Sequence, residues 1–410
     1  MRSPRSHHSS DELIEITESY SAHNYSPLPV VISRGEGAWV WDVEGKRYLD
    51  MLSAYSALNF GHRNPRITAV AHEQLDLLTL TSRAFYNDQL GALCRELADF
   101  CGLDSVLLMN SGAEAVESAI KIARRWAYQR KGIPAGSAEI IALGGNFHGR
   151  TISIVSFSTS EDSRKDFGPF TPGFVTAAYG DSSAFEAAIT ERTAAVIFEP
   201  IQGEGGVLIP PEGYLRDLRR ICTERNLLLL ADEVQTGLCR TGKRFACDWE
   251  GVKPDAYILG KSLGGGIVPI SAVVARREVM DVLNPGSHGS TFGGNPFACA
   301  IAREVLALIV QERPEDRAVE LGNWFGQELR GLNAKAIGQV RQRGLFVGVD
   351  IKPEFGKAKD YCKKLLKHGI LAKDTREQTI RFAPPLVIAR EDLEWGIEQI
   401  RATFGDPPLS

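Results

Sequence analysis

Through the middle of the chain, short unbroken apolar runs alternate with stretches whose apolar residues recur every three or four positions. The runs are "SVLLMN" (105–110), "AEIIALGG" (138–145), "AAVIFEP" (194–200), "LLLLAD" (227–232) and "AYILG" (256–260). Each has the length of a strand, and apolar residues without alternation imply a sheet covered on both faces. The stretches between them, such as "AEAVESAIKIARRWAYQR" (113–130) and "YLRDLRRICTERN" (214–226), carry helical spacing. Strands alternating with helices predict an α/β fold whose central sheet is mostly parallel, with the ligand site beyond the carboxyl ends of the strands.

The two ends of the chain read differently. "GAWVWDVEGKRYLDML" (37–52) predicts an antiparallel hairpin turning at Glu44-Gly45. Beyond about residue 297 come a helix (297–311), a second near 315–332, strands in "QVRQRGLFVGVDI" and "TIRFAPPLVI", and a closing helix from about Glu391. These predict a smaller α+β domain joined by the hairpin. The expected division is a disordered tail over 1–15, an N-terminal segment over 16–60, a large domain over 61–296 and a small domain over 297–410.

Polar residues gather where the predicted strands stop: Asn110-Ser111-Gly112, Glu199, Asp232 and Lys261. Scattered polar residues would not respect strand ends, so one shared cleft is expected. Composition narrows its chemistry. The 410 residues are 43% apolar and 24% charged with a net charge of −4, which suits a soluble protein and argues against nucleic-acid or membrane partners. Seven scattered cysteines without a C-x-x-C pair point to reduced thiols and a cytoplasmic setting rather than a disulfide framework or zinc site. No apolar run approaches the roughly 20 residues of a membrane helix, and "MRSPRSHHSSDE" lacks a secretory apolar core. No metal is expected, and His7 and His8 read as tail residues.

Lys261 carries the sharpest question. In "GKS" it imitates a phosphate-binding loop, but the upstream glycine that such a loop needs is replaced by Asp255. A surface lysine is the plain alternative. Yet the residue closes an apolar strand, where desolvation lowers a lysine pKa and frees its amine for Schiff-base chemistry, and the glycines behind it allow close approach of something bulky. Asp232, also at a strand end, lies 29 residues earlier, about one β-α-β step. A lysine with a carboxylate for a pyridine nitrogen is what pyridoxal 5′-phosphate requires.

A phosphate site is expected where Ser111-Gly112 opens a helix, although Ser111 with Glu114 equally fits a capping box. "HGSTFGGNP" adds the Ser290 and Thr291 hydroxyls, or is a turn. "GGNFHGRT" places Phe147 and His148 after a strand. The phenylalanine could stack on a ring or be an ordinary loop aromatic, and His148 has no second ligand at metal spacing.

The ordered series "NSGAEAVESAIKIAR", "FHGRT", "EPIQGEGG", "LLLADEVQTGLCRTG", "ILGKSLGGG" and "GSTFGGNP" resembles the class III (ω-amino) pyridoxal-phosphate aminotransferases of fold type I, from about residue 20 to the C-terminus. The resemblance implies that Lys261 carries the cofactor and shuttles the proton, and that Asp232 pairs with the ring nitrogen. Val234 and Phe147 would flank the ring, with His148 beside it and Gln235 near its phenolic oxygen. Ser111, Gly112 and Ala113 would bind the phosphate, completed by Ser290 and Thr291 of a partner subunit, which implies a homodimer. "SAHNYSPLPV", "SAYSALNFGH", "LTLTSRAFYN" and "RFAPPLVI" are most similar to family members whose donor is ornithine. Tyr25 and Arg150 would then hold its α-carboxylate, and Tyr55 would shape the pocket. Arg381 would bind 2-oxoglutarate or glutamate with Glu204 as its gate, and Glu199 would support the site. His148 departs from this, since ornithine-type members carry tryptophan there and acetylornithine-type members histidine. The rival readings are another ω-amino donor (N-acetylornithine, 4-aminobutyrate or lysine), a nucleotide-binding module, and a catalytically silent family member.

Overall fold

The computed structural model describes residues 8–332 and 334–405. The first helix, Ser10–Tyr20, occupies part of the stretch expected to be tail. Ser9 caps it, with Glu12 reaching back to the Ser9 backbone, a capping box that the run "SSDE" already contains. The tail expectation is therefore corrected from residue 10 onward, while His7 and the rest of 1–7 lie outside the described residues. His8 is exposed and stands 3.5 Å from Glu12.

Strands β1 (Ile32–Glu36), β2 (Trp39–Asp42) and β3 (Arg47–Asp50) form the N-terminal sheet, with β2 and β3 making the expected hairpin. The central sheet comprises β4 (Ser105–Met109), β5 (Glu139–Leu143), β6 (Phe174–Ala177), β7 (Thr193–Phe198), β8 (Leu228–Asp232), β9 (Ala256–Leu259) and β10 (Ser271–Ala275). Their order is β4-β10-β9-β8-β7-β5-β6. Only β10 runs against its neighbours, and the contacts from β9 through β6 are parallel. Every residue of β7, β8 and β9 is buried, as unbroken apolar runs require.

Helix Gly112–Trp126 lies on one face of this sheet. Ser111 caps it through the predicted box with Glu114, and Val116, Ala119, Ile120 and Ala123 are buried on its inner side. Beyond it come β11 (Ile337–Arg343), β12 (Phe346–Ile351), β13 (Ile370–Leu371), β14 (Lys373–Thr375) and β15 (Thr379–Phe382). Four of these form a sheet ordered β11-β12-β15-β14, while β13 pairs in parallel with β3 and joins the N-terminal sheet. "TIRFAPPLVI" stops being a strand at Phe382, because Pro384-Pro385 cannot donate to a ladder.

Candidate active site

The site lies where β5, β7, β8 and β9 end. Gly260 is extended and Lys261 then takes φ +43°, a left-handed conformation uncommon for a side-chain-bearing residue. This bend turns the lysine off the strand end. A Cβ at 260 would come within 3.3 Å of Val234 Cγ1, so the strand end and Val234 pack closely. Lys261 is half-buried, and burial lowers its pKa although the Asp232 carboxylate opposes the shift. Its Nζ makes no hydrogen bond or ion pair among the described residues. The glycines behind it do admit something bulky, but from the same chain: a Cβ at Gly265 would meet Ile67, and one at Gly266 would meet Leu58.

Lys261 faces a cavity of about 250 Å³ that also takes in Asp232, Val234 and Gln235 from the β8 end and Phe147, His148 and Glu199 from β5 and β7. Gly112 and Ala113 close it at the helix start. Asp232 is pinned twice, receiving the Val234 amide at 3.1 Å and standing 2.6 Å from His148 Nδ1. Burial opposes charge on His148, but the Asp232 carboxylate outweighs it and holds the imidazole pKa above its ordinary value. His148 Nε2 has no partner among the described residues. Glu199 accepts the Phe147 amide at 2.9 Å, and burial pushes its pKa up to about 7.

The expected phosphate residues divide. Gly112 and Ala113 reach the cavity, and a Cβ at 112 would come within 3.1 Å of Val234 Cγ1. Ser111 is spent as a cap. Ser290 Oγ accepts from Asn110 Nδ2 at 2.9 Å and from Gly293 N at 3.0 Å. Thr291 is exposed and lines no part of this cavity.

The expected substrate residues divide similarly. Arg381 is fully buried on β15 and its Nη1 meets Glu204 Oε1 at 2.6 Å, leaving Nε and Nη2 without partners among the described residues. Its guanidinium stands 5.0 Å from the Tyr55 ring, and Tyr55's carbonyl accepts from Gln235 Nε2 at 3.2 Å. Burial raises the Tyr55 pKa, so its hydroxyl stays protonated at neutral pH. Arg150 lies 5.5 Å over the Phe147 ring and reaches Ser163 at 3.3 Å. Tyr25 is 78% exposed and does not line the cavity.

Three lining residues were not anticipated: Gly149, Ile201 and Thr236. Each sits in a segment singled out for another residue, so proximity in sequence was the available signal. The His148–Asp232 contact spans 84 residues, and no spacing announces it. Among the described residues no group of three or more His, Cys, Asp or Glu side chains is placed to hold a metal ion.

Comparison with known proteins adds an independent finding. The family described as aminotransferase class-III matches residues 20–404. An ornithine aminotransferase of Geobacillus sp. (strain WCH70) is 56% identical over 393 residues, covering 96% of this chain and 98% of that protein. One from Bacillus subtilis (strain 168) is 55% identical, covering 96% and 97%. The solved ornithine aminotransferase of Toxoplasma gondii superposes with a TM-score of 0.95 at 48% identity, covering 97% and 94%. An acetylornithine aminotransferase from Elizabethkingia anophelis gives 0.87 at 45%, covering 96% and 98%.

Proposed function

The chain belongs to the class-III aminotransferases, and we propose that it moves the δ-amino group of L-ornithine to 2-oxoglutarate. The products are glutamate and glutamate 5-semialdehyde, which cyclises to pyrroline-5-carboxylate and so connects arginine and proline metabolism. Pyridoxal phosphate is the family's cofactor, and the residues present fit it. An unpartnered lysine and a pinned carboxylate share one cavity, and a side chain at Gly112 or Gly260 would crowd Val234 at its wall. When bound, the cofactor supplies an electron-accepting ring and an aldehyde that exchanges between Lys261 and the substrate amine.

The chain's own residues have these assigned roles. Asp232, held in place by His148 Nδ1 at 2.6 Å, would face the ring nitrogen and accept its proton's hydrogen bond. Val234 and Phe147 would bound the ring, Gln235 would serve its phenolic oxygen, and the amides of Gly112 and Ala113 would hold the phosphate at a helix N-terminus. Lys261 Nζ, its pKa lowered by burial, would act as the base that holds the proton removed from the substrate carbon bearing the amine. Glu199 holds the Phe147 backbone in place.

The Arg381–Glu204 pair beside this cavity carries the substrate assignment. An enzyme that admits a diamino acid and then a diacid must present and withdraw one positive charge. Arg381 paired with Glu204 is neutralised for ornithine. Freed, its planar fork matches a carboxylate, and its unpartnered Nε and Nη2 await one. Tyr25 and Arg150 take the ornithine α-carboxylate, and Tyr55 walls the pocket. The second reading, N-acetylornithine as donor, is favoured by His148. Mass analysis of products from a panel of ω-amino donors tests the assignment, with loss of the δ-nitrogen from ornithine as the expected result and preferential consumption of N-acetylornithine as the opposite one.

We further assign a homodimer, with Ser290 and Thr291 completing the partner's phosphate site. Phe85, Tyr86 and Phe292 are 69%, 100% and 54% exposed. Their two loops adjoin, since Asn87 Nδ2 donates to the Gly294 carbonyl at 3.3 Å. An exposed aromatic patch of this kind suits burial against a second copy. The large domain over 61–296 and the small domain over 297–410, with 16–60 packed on the latter, complete the assignment. Among the described residues no helix is long and apolar enough to cross a membrane, and a cytoplasmic location is proposed with neither nucleic acid nor membrane as partner.

A further inference from the structure

Resting on the reading of Glu204 as the movable partner of Arg381, and deepening it, is the way the Glu204 loop is held. Glu204 sits in a turn closed by Gly206 N donating to the Gly203 carbonyl at 3.1 Å. The base of the turn is fixed by the backbone pairing of Gln202 with Leu208. The turn follows β7, in the central sheet, yet its carbonyls are held from elsewhere. Thr375 Oγ1 donates to the Glu204 carbonyl at 2.6 Å. Arg341 donates to the Gly206 carbonyl through Nε at 3.0 Å and Nη2 at 2.8 Å.

Arg341 is itself fixed. Asp350 receives its Nη1 and Nη2 at 2.5 and 2.6 Å and also the Thr379 hydroxyl at 2.6 Å. These residues come from β11, β12, β14 and β15, one from each strand of the C-terminal sheet. The same sheet carries Arg381, in register with Gly348 of β12 and Lys373 of β14. The approach is close enough to exclude a side chain at 348, whose Cβ would lie 2.7 Å from the Gly206 carbonyl oxygen.

We propose that Arg341 and Thr375 are positioning residues that set substrate selectivity, anchoring the backbone of the Glu204 loop to the sheet that carries Arg381. Both charges of the pair then ride on one rigid frame. Glu204 leaves and rejoins Arg381 by side-chain rotation alone, and the distance it must recover is fixed whatever the rest of the central sheet does. A loosened loop lets Glu204 stray, leaving Arg381 uncompensated when ornithine binds but available to a dicarboxylate.

The test uses the cofactor-loaded enzyme and compares single-turnover half-reactions with ornithine and with glutamate. It also measures the dissociation constant of glutarate, a dicarboxylate that cannot accept an amine. Thr375→Val should raise the ratio of glutamate to ornithine kcat/KM by about threefold to tenfold, the scale of one lost hydrogen bond, and Arg341→Gln, which removes two, should raise it at least as far. Glutarate should bind at least as tightly as before. Glu204→Ala should raise the ratio at least as far, and adding Thr375→Val to it should raise it no further. Equal losses in both half-reactions, or effects that add in the Glu204→Ala background, would reduce the anchors to a structural brace and overturn the proposal. If Glu204→Ala moves the ratio and neither anchor variant does, the proposal falls alone; if Glu204→Ala leaves it unmoved, the reading of Glu204 falls with it. Thr375→Val, which removes one hydroxyl, keeps the test open should Arg341→Gln not fold.

Discussion

At the scale of single residues, the chemistry depends on groups whose ionisation is bent by burial. Lys261 is the clearest case: its ammonium is disfavoured where it stands, so its amine is available as nucleophile and base. Lys261→Ala should lower transamination by at least about a thousandfold, the upper range of general acid–base catalysis, with the thermal midpoint changed little. Steady-state rates beside a melting curve check this, and retained turnover would remove Lys261 from its role. Glu199 makes a different prediction. Its folded pKa, about 7, lies above the ordinary carboxylate value of 4.5. The folded state therefore holds the extra proton across that window, and stability present below 4.5 is lost as pH rises through 7. The slope cannot exceed about 1.4 kcal/mol per pH unit for one proton. Glu199→Gln keeps an acceptor for the Phe147 amide and should flatten this loss in denaturant titrations of the cofactor-free protein between pH 4.5 and 7.

At the scale of elements, strands and helices whose patterns are local were readable from the chain. Unbroken runs gave β7, β8 and β9, and the Ser111 capping box marked the start of the phosphate-side helix. β10 was not readable, because "SAVVA" is as apolar as the strands that run parallel to one another in the same sheet, and nothing in five residues records direction. The helix Ser10–Tyr20 was missed because none of its residues is buried, so no apolar stripe advertised it. Within the site, Lys261 and Asp232 could be paired by their strand-end positions. His148 and Arg341 could not, since their partners are reached through the fold. The turn after β5 shows how tightly these elements meet: Gly149 has φ +131°, and a Cβ there would stand 2.9 Å from Ala113 Cβ. Gly149→Ala combines backbone strain with that clash and should cost about 1–3 kcal/mol, read as a lowered denaturant midpoint and weaker cofactor retention.

At the scale of the whole molecule, the site is an assembly of three segments that meet at one place. The central sheet supplies the cavity with Lys261 and Asp232, the C-terminal sheet supplies Arg381 with the residues that hold the Glu204 loop, and the N-terminal segment supplies Tyr55. Arg240 ties all three together. Fully buried, it donates to Asn59 Oδ1, the Leu345 carbonyl and the Pro384 carbonyl. In the proposed homodimer, the exposed loop bearing Thr291 and Phe292 would extend the same logic to a second subunit. Phe292→Asp should shift sedimentation towards monomer and weaken pyridoxal phosphate binding in parallel, and a monomer with undiminished cofactor affinity would contradict the shared site. The central claim, that the free diamino acid is the donor, is tested most directly by the single-turnover half-reaction of the cofactor-loaded enzyme followed through the cofactor's absorbance. The rate constant per molar donor should be greater for L-ornithine than for N-acetylornithine, and a faster reaction with the acetylated amine would contradict the account.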